Sequence, residues 1–480
     1  MTARVLIHML QYVVLAFLLS GNVAGQDVDG KATTLSEVLE SVQENFPLIK
    51  AVQAEIDSKE ALVQAAQGAF DPVLEGTYKN RLSGFYDGSS IESFYRKRIP
   101  GFSAEVFAGY RRSNGSIPAY EGGLATSNDG ESRFGVSLSL LRDRDFDELR
   151  YERSAARVDV RSQRYALQLE MLNTLEQAYI AYAQWLQAAR LQSDYSELMA
   201  IAEDRAEAVR RQVDSGDAAE ILLVDNELAV LQRRSLVVDA ERLLDASAYR
   251  LSLFLRHEDG SPRLPVYTEG LTIPEDEQSV SRNIDILLNR VTALDPRIAR
   301  ARLAQEKETL DIRLAENMAK PKVDLRIYNS RDFGNGFASL QGTENIADIS
   351  FSFPLATNTA RGKASAARAN IDSLDYRIRQ YINEIRAGIE VALVNLEATR
   401  SLENIALQEL ESSLQLADAE ARRFEAGLSD FFQLNQREQV VAEAELKRWR
   451  AHFEYQVALA NFYRISMNLE ALGLDPSTSF

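Results

Sequence analysis

The feature that most restricts this chain is a duplication marked by proline. The 480 residues hold 11 prolines, and Pro47 and Pro296 are 249 apart, as are Pro72 and Pro321. Phe46-Pro47-Leu48-Ile49 opens one bracketed segment and Asp295-Pro296-Arg297-Ile298 the other. Proline fits the first turn of a helix but breaks its interior, so each segment reads as a helix of 24 residues ended by the next proline. Further on, Ser137-Leu138-Ser139-Leu140 faces Ser350-Phe351-Ser352-Phe353 at an offset of 213, and Gly216 faces Gly427 at 211. The chain is thus one unit used twice. The fall from 249 to 213 places 36 extra residues in the first half, between Pro72 and Ser137.

The stretches 119–261 and 355–475 contain no proline. Within 143–257 the only glycine is Gly216, and within 363–472 the only glycines are Gly388 and Gly427. Each stretch reads as two helices joined at one glycine turn, because glycine tolerates the left-handed backbone of a helix stop. Leu172, Leu175, Tyr179, Tyr182, Leu186 and Ala189 are spaced 3-4-3-4-3, as are Leu407, Leu410, Leu414, Ala417, Ala421 and Phe424. That spacing is a coiled-coil seam. A helix from 143 to 213 is roughly 106 Å long, beyond any ordinary globular core.

Between the helices the pattern changes to period two. Phe102, Ala104, Val106, Ala108 and Tyr110 alternate with polar residues, with Phe107 the exception. Phe134, Val136, Leu138 and Leu140 do the same, as do Val323, Leu325 and Ile327, and Ile349, Phe351 and Phe353. These are strands with one apolar face. Tyr78, Phe85, Tyr86, Phe94, Tyr95, Phe102, Phe107 and Tyr110 crowd the region, as an interfacial aromatic girdle would. Arg4, the apolar run Met9–Leu19 and the small residues Val23-Ala24-Gly25 read as a signal peptide over 1–25. The run of about 11 residues is too short to span a bilayer, which takes about 20. An exported chain without a spanning helix is periplasmic, secreted or inserted as β-structure.

Composition removes other classes. With 71 acidic against 54 basic residues, a net charge of −17, the chain is unsuited to duplex nucleic acid. It has no cysteine, hence no disulfide or thiolate metal site, and its three histidines, His8, His257 and His452, lie far apart. No nucleophile or phosphate-loop motif is present, so neither an enzyme nor a bound cofactor or metal is expected. The close acids Asp143 and Asp145 belong to a charged run, Arg142 to Arg150.

The order of these elements resembles the TolC-like outer membrane efflux proteins. The residues that carry the resemblance are Thr34-Leu35-Ser36-Glu37-Val38-Leu39, Glu44 to Ala51, Ala65 to Pro72 and, most clearly, Arg423-Phe424-Glu425-Ala426-Gly427-Leu428-Ser429-Asp430 before Phe432-Gln433-Leu434. It covers essentially the whole mature chain. The resemblance implies a homotrimer that shares one 12-stranded β-barrel in the outer membrane, with two strands per repeat, above a long α-helical barrel in the periplasm. It also implies a passive duct for tripartite efflux or type I secretion, working with a periplasmic adaptor and an inner-membrane pump. The expected fold is mainly α with a membrane β-barrel part. Residues 26–257 form the first repeat, 258–277 a linker, 278–470 the second repeat and 471–480 a tail. The 36 extra residues form either a second hairpin, near 91–98 and 102–112, or an outer loop.

Gly216 and Gly427 then mark the periplasmic tips. The paired aspartates of the best-known members fall on Gln433 and Gln436 here, so the acidic ring is absent at those positions, and Glu220, Asp225 and Asp430 are the substitute pore-entrance candidates. Arg210, Arg211, Arg422 and Arg423 precede the turns and are candidates to pair with Asp214, Asp217, Glu425 or Asp430. The competing explanation is favourable cationic charge at a helix C-terminus. The rival functional reading is a periplasmic coiled-coil scaffold with no pore.

Overall fold

The computed structural model describes residues 31–474, apart from 119–122, 218, 275–280, 337–339 and 341. The expected signal peptide lies outside the described residues, as does most of the 471–480 tail. The first repeat runs α1 (Leu35–Asn45), α2 (Pro47–Gly68), β1 (Val73–Asn80), β2 (Ser89–Ile99), β3 (Ala104–Asn114), β4 (Glu131–Ser139), α3 (Glu148–Asp214) and α4 (Ile221–Leu251). The second runs α5 (Ile284–Leu294), α6 (Pro296–Met318), β5 (Lys322–Asp332), β6 (Gly342–Ser352), α7 (Asn358–Glu425) and α8 (Phe431–Ile465).

Helix starts follow local chemistry. Pro47 and Pro296 each occupy a first-turn position. Thr34, Asp147 and Asp295 accept hydrogen bonds from the free N–H groups of α1, α3 and α6. The long helices have 67 and 68 residues, about 100 Å each. In the half that holds the glycine turns, α4, α3, α8 and α7 lie side by side; in the half that meets the sheet, the order is α2, α3, α6, α7. At either level the protomer is a slab four helices wide. No helix among the described residues is long and apolar enough to cross a membrane.

The main core forms a collar at mid-height. There α1, α5, the irregular segment after α4 and the closing turn Glu470–Leu472 cover α3 and α8. Trp185, Tyr179, Tyr182, Leu251, Leu255 and Phe462 are fully buried. Their polar tips are satisfied: the Tyr179 hydroxyl donates to Gln456 Oε1 at 2.8 Å and the Tyr182 hydroxyl to the Thr33 carbonyl at 3.1 Å. All six residues of the first heptad seam are buried here. The second seam differs. Leu410 is buried, but Leu407 and Leu414 are 41% and 47% exposed, because α7 is an edge helix of the slab.

All six strands form one antiparallel sheet in the order β1-β2-β3-β4-β5-β6. The 36 extra residues therefore add two strands inside the sheet, and the expectation of two strands per repeat holds only for the second. The register puts Leu74, Tyr95, Ala108, Phe134 and Ile327 on one face, and Glu75, Arg96, Glu105, Arg133 and Arg326 on the other. Phe94 and Phe107 lie on this polar face, not on the apolar one, so they belong to no outward aromatic girdle.

Candidate functional site

The two helix turns are the same construction. Ser215 caps α3, Gly216 follows at φ +83°, and the Gly216 and Asp217 N–H groups donate to the Val213 and Gln212 carbonyls at 3.0 and 2.9 Å. Ala426 caps α7, Gly427 follows at φ +69°, and Gly427 and Leu428 donate to Phe424 and Arg423 at 3.0 and 2.8 Å. Both are Schellman stops, which need a residue in the left-handed region. Apart from the chain neighbours, no atom of the described residues lies within 4 Å of where a Cβ would sit at either glycine, so backbone conformation selects glycine there.

The charges at the tips pair differently from expectation. Arg211 bonds Glu207 at 2.9 Å, and Arg423 bonds Glu420 at 3.3 Å, both within their own helix. Asp214 and Glu425 are exposed and are not the partners, because the carboxylate one turn earlier lies on the same helix face. Arg210 reaches Glu227 across the α3–α4 hairpin at 3.3 Å, and Arg422 pairs with Asp418. Asp430 is the N-cap of α8 and accepts from the Gln433 N–H at 2.8 Å. Glu220, Asp225, Gln433 and Gln436 are exposed at the tips. The candidates thus cluster at one end of the slab, on the starts of α4 and α8.

Sequence reasoning missed a network above the tips. Glu438 on α8 accepts from Arg205 on α3 at 2.8 Å and from Arg233 on α4 at 2.6 Å. Asn435 accepts from Arg233 at 3.2 Å. The side chains of Arg233, Glu438 and Arg205 are 9%, 13% and 17% exposed. Burial holds the Arg233 guanidinium below its ordinary pKa, with the Glu438 charge opposing that shift. This network joins the hairpin of one repeat to that of the other.

About three turns nearer the collar, the Trp449 indole donates to Asp194 Oδ2 at 2.6 Å. Beside it, burial and the facing Asp194 carboxylate push Glu445 up to about 7. The sequence did hold a signal. Phe431, Leu434, Glu438, Val441 and Glu445 are spaced 3-4-3-4, so two acids occupy seam positions.

The polar face of the sheet is tightly paired. Arg96 bonds Glu75 on β1 at 3.0 Å and Glu105 on β3 at 3.2 Å. Glu131 on β4 takes both Arg111 on β3 and Arg133, and Ser330 on β5 donates to it. Arg96 also lies over the Phe94 and Phe107 rings, and Arg133 over Tyr328. Gly109 and Gly135 admit these rings: a Cβ would fall 2.2 Å from Phe94 and 2.4 Å from the Tyr328 Cβ. On the opposite face Leu74, Tyr78, Ile91, Tyr95, Phe134 and Ile349 stay exposed. A sheet that is apolar outside and charged inside suits a barrel wall between lipid and water. No group of acids or histidines among the described residues has the geometry to hold a metal ion.

This is the fold of the TolC-like outer membrane efflux channels. The chain is similar to the open state of the MtrE outer membrane channel of Neisseria gonorrhoeae, at 15% identity and a TM-score of 0.65 over 93% of this chain and 91% of that one. It is similar to CusC, a protein described as forming a transmembrane channel, at 15% identity and 0.63 over 95% of each. The CmeC outer membrane channel of Campylobacter jejuni is similar at 13% identity and 0.60, over 96% of this chain and 92% of that one. No family model matches the sequence, and no curated protein matches it.

Proposed function

We propose that this chain is the outer membrane exit duct of an efflux or type I secretion assembly, a passive conduit from a periplasm-spanning tunnel to the exterior. The observation that carries this reading is the junction of wall and tunnel. Four strands run directly into or out of helices: α2 into β1, β4 into α3, α6 into β5 and β6 into α7. A lipid-compatible sheet therefore continues into a slab of helices about 100 Å long.

One protomer is an open sector. Among the described residues neither outer edge of the sheet pairs with another strand, and an unpaired edge is not tolerated in lipid. The edge helices match this. Val224, Leu228, Leu231 and Val238 on α4, and Val391, Val394, Leu402 and Ile405 on α7, are more than half exposed. These rows are what a neighbouring copy would cover, and three copies close the ring in our reading.

The tips would then face the cell interior, where a periplasmic adaptor and an inner-membrane pump dock. Energy comes from the pump, so the chain needs no catalytic residue or cofactor, and we read it as no enzyme. Opening separates the hairpins at Gly216 and Gly427, and Glu220, Asp225 and Asp430 bias the entrance toward cations. The test is single-channel recording from detergent-purified mature protein, with its oligomeric mass. Discrete cation-preferring openings from a trimer are expected. A protein that is soluble without detergent and gives no conductance refutes the duct and leaves the scaffold.

A further inference from the structure

We infer that three copies close an 18-stranded barrel, half again as many strands as the resemblance implies, in which the β2–β3 hairpin is wall and not loop. The inference rests on the trimeric duct proposed above and specifies its membrane section.

The hairpin is built into the sheet on both sides. Eight residues of β1 pair with β2, and eight of β3 with β4. Its polar face is ion-paired to both neighbours, through Arg96 to Glu75 on β1 and through Arg111 to Glu131 on β4. Its other face carries Ile91, Tyr95, Val106 and Tyr110, each at least 37% exposed, in line with the outward residues of β4 to β6. A loop folded over the barrel mouth would have no reason to keep that alternation. Both strands have 11 residues, the length of a tilted membrane strand.

The widths agree as well. Strands about 4.8 Å apart and tilted about 40° each take roughly 6.3 Å of circumference, so six take about 38 Å. Four helices at about 9 to 10 Å take about 36 to 40 Å. Four strands at that tilt would take only about 25 Å. With six strands the sheet is as wide as the slab beneath it.

The free edges fit each other. β1 leaves a helix and β6 enters one, so they run antiparallel; β1 is exposed along its length and β6 at every residue but Ile346. A second copy of this chain is the partner that supplies each edge. Eighteen strands give a radius of about 18 Å to the backbone, against about 12 Å for twelve. Barrels of this size enclose an aqueous channel. The membrane section is then no constriction, and passage is limited at the tips.

Cryo-electron microscopy of the full-length protein in nanodiscs, together with its conductance, tests this. Eighteen strands with a closed β6–β1 seam are expected. Twelve strands with residues 81–116 outside the wall, or an unclosed sheet, overturns the inference and leaves the duct standing if the particle still conducts. An 18-stranded ring that never conducts upholds the barrel and sinks the duct. A second measurement is independent of imaging. Val106→Arg puts a charge on the lipid face and lowers the folded-to-unfolded ratio in urea by roughly thirtyfold or more. Ser137→Arg, on the polar face of β4, changes it little. Equal tolerance of the two variants places β3 in water and refutes the wall assignment.

Discussion

Replacing Glu438 by Gln is the sharpest probe of how the tips are held. Glu438 is the only carboxylate among the ion pairs formed by Arg205 and Arg233 in the described residues, and it contacts both guanidinia. Gln keeps the shape and one acceptor but removes the charge. Breaking a fully buried pair costs about 3–5 kcal/mol, because the partner charge stays desolvated. Here the side chains are 9% to 17% exposed, so water relieves part of that and about 2–4 kcal/mol remains. Because the network bridges α3, α4 and α8, it exists only while the two hairpins of a protomer lie together. If the open state lacks it, the variant shifts the closed–open balance by roughly 30- to 1000-fold per protomer. Planar-bilayer recording of E438Q reads this as a large rise in open probability. Thermal unfolding in detergent, measured alongside, separates gate from scaffold. A lowered unfolding midpoint with unchanged gating refutes the lock, and no change in either refutes the network's energetic importance. In a double-mutant cycle with Arg233→Gln, a coupling below about 0.5 kcal/mol also rules it out.

Glu445 sets a pH dependence. Its folded pKa, about 7, lies above the ordinary carboxylate value, so its contribution is fully present below about pH 4.5 and is lost as pH rises through 7. Glu445→Gln therefore stabilises the protein at pH 8 by about 1–3 kcal/mol and flattens the stability profile between pH 5 and 8; an unchanged profile contradicts this. Gly216→Ala and Gly427→Ala each force a β-carbon into the left-handed region, at about 1–2 kcal/mol, and hydrogen exchange at the tips reports the fraying. Asp430→Asn keeps the α8 cap and removes the charge, while Asp430→Ala loses about 1 kcal/mol of cap as well. Both shift cation selectivity equally if Asp430 faces the lumen, which reversal potentials in a salt gradient decide. Gly109→Ala drives a methyl into the Phe94 ring and costs about 1–3 kcal/mol, read as a lower unfolding midpoint.

Much of the architecture was legible because it follows from backbone chemistry. Proline can only open α2 and α6, and glycine is the natural stop at 216 and 427, so the paired offsets placed these elements directly. Period-two alternation located β3, β4, β5 and β6. It was weaker for β1 and β2, where Gly76, Ser93 and Lys97 stand on the otherwise apolar face. Phe107 broke the pattern because it packs near Tyr328 and under Arg96 on the polar side, which only the sheet register reveals. The partners of the tip arginines were not legible for a similar reason. A list of nearby charges does not say which share a helix face, and Arg211 and Arg423 each chose a carboxylate three or four residues earlier. Glu438 was passed over because an acid on a long helix looks solvated until its seam position is counted.

The distribution of packing along the slab bears on how the proposed duct would hold its walls and open its end. The collar concentrates the large aromatics and aliphatics, with Tyr179, Tyr182, Trp185 and Phe462 fully buried. Below it the apolar clusters shrink to a few residues, around Leu191, Tyr195 and Val237, and then Leu410, Val441 and Ala444. Closer to the tips, Leu428 and Phe432 are exposed, Phe431 and Leu434 remain buried, and the ion pairs of Glu438 join this small apolar contact in holding the hairpins together. Apolar burial is non-directional and stays in place under small displacements, whereas an ion pair loses its energy once its geometry is lost. In the duct proposed above, the collar would be the fulcrum and the ion-paired stretch below it the element expected to yield.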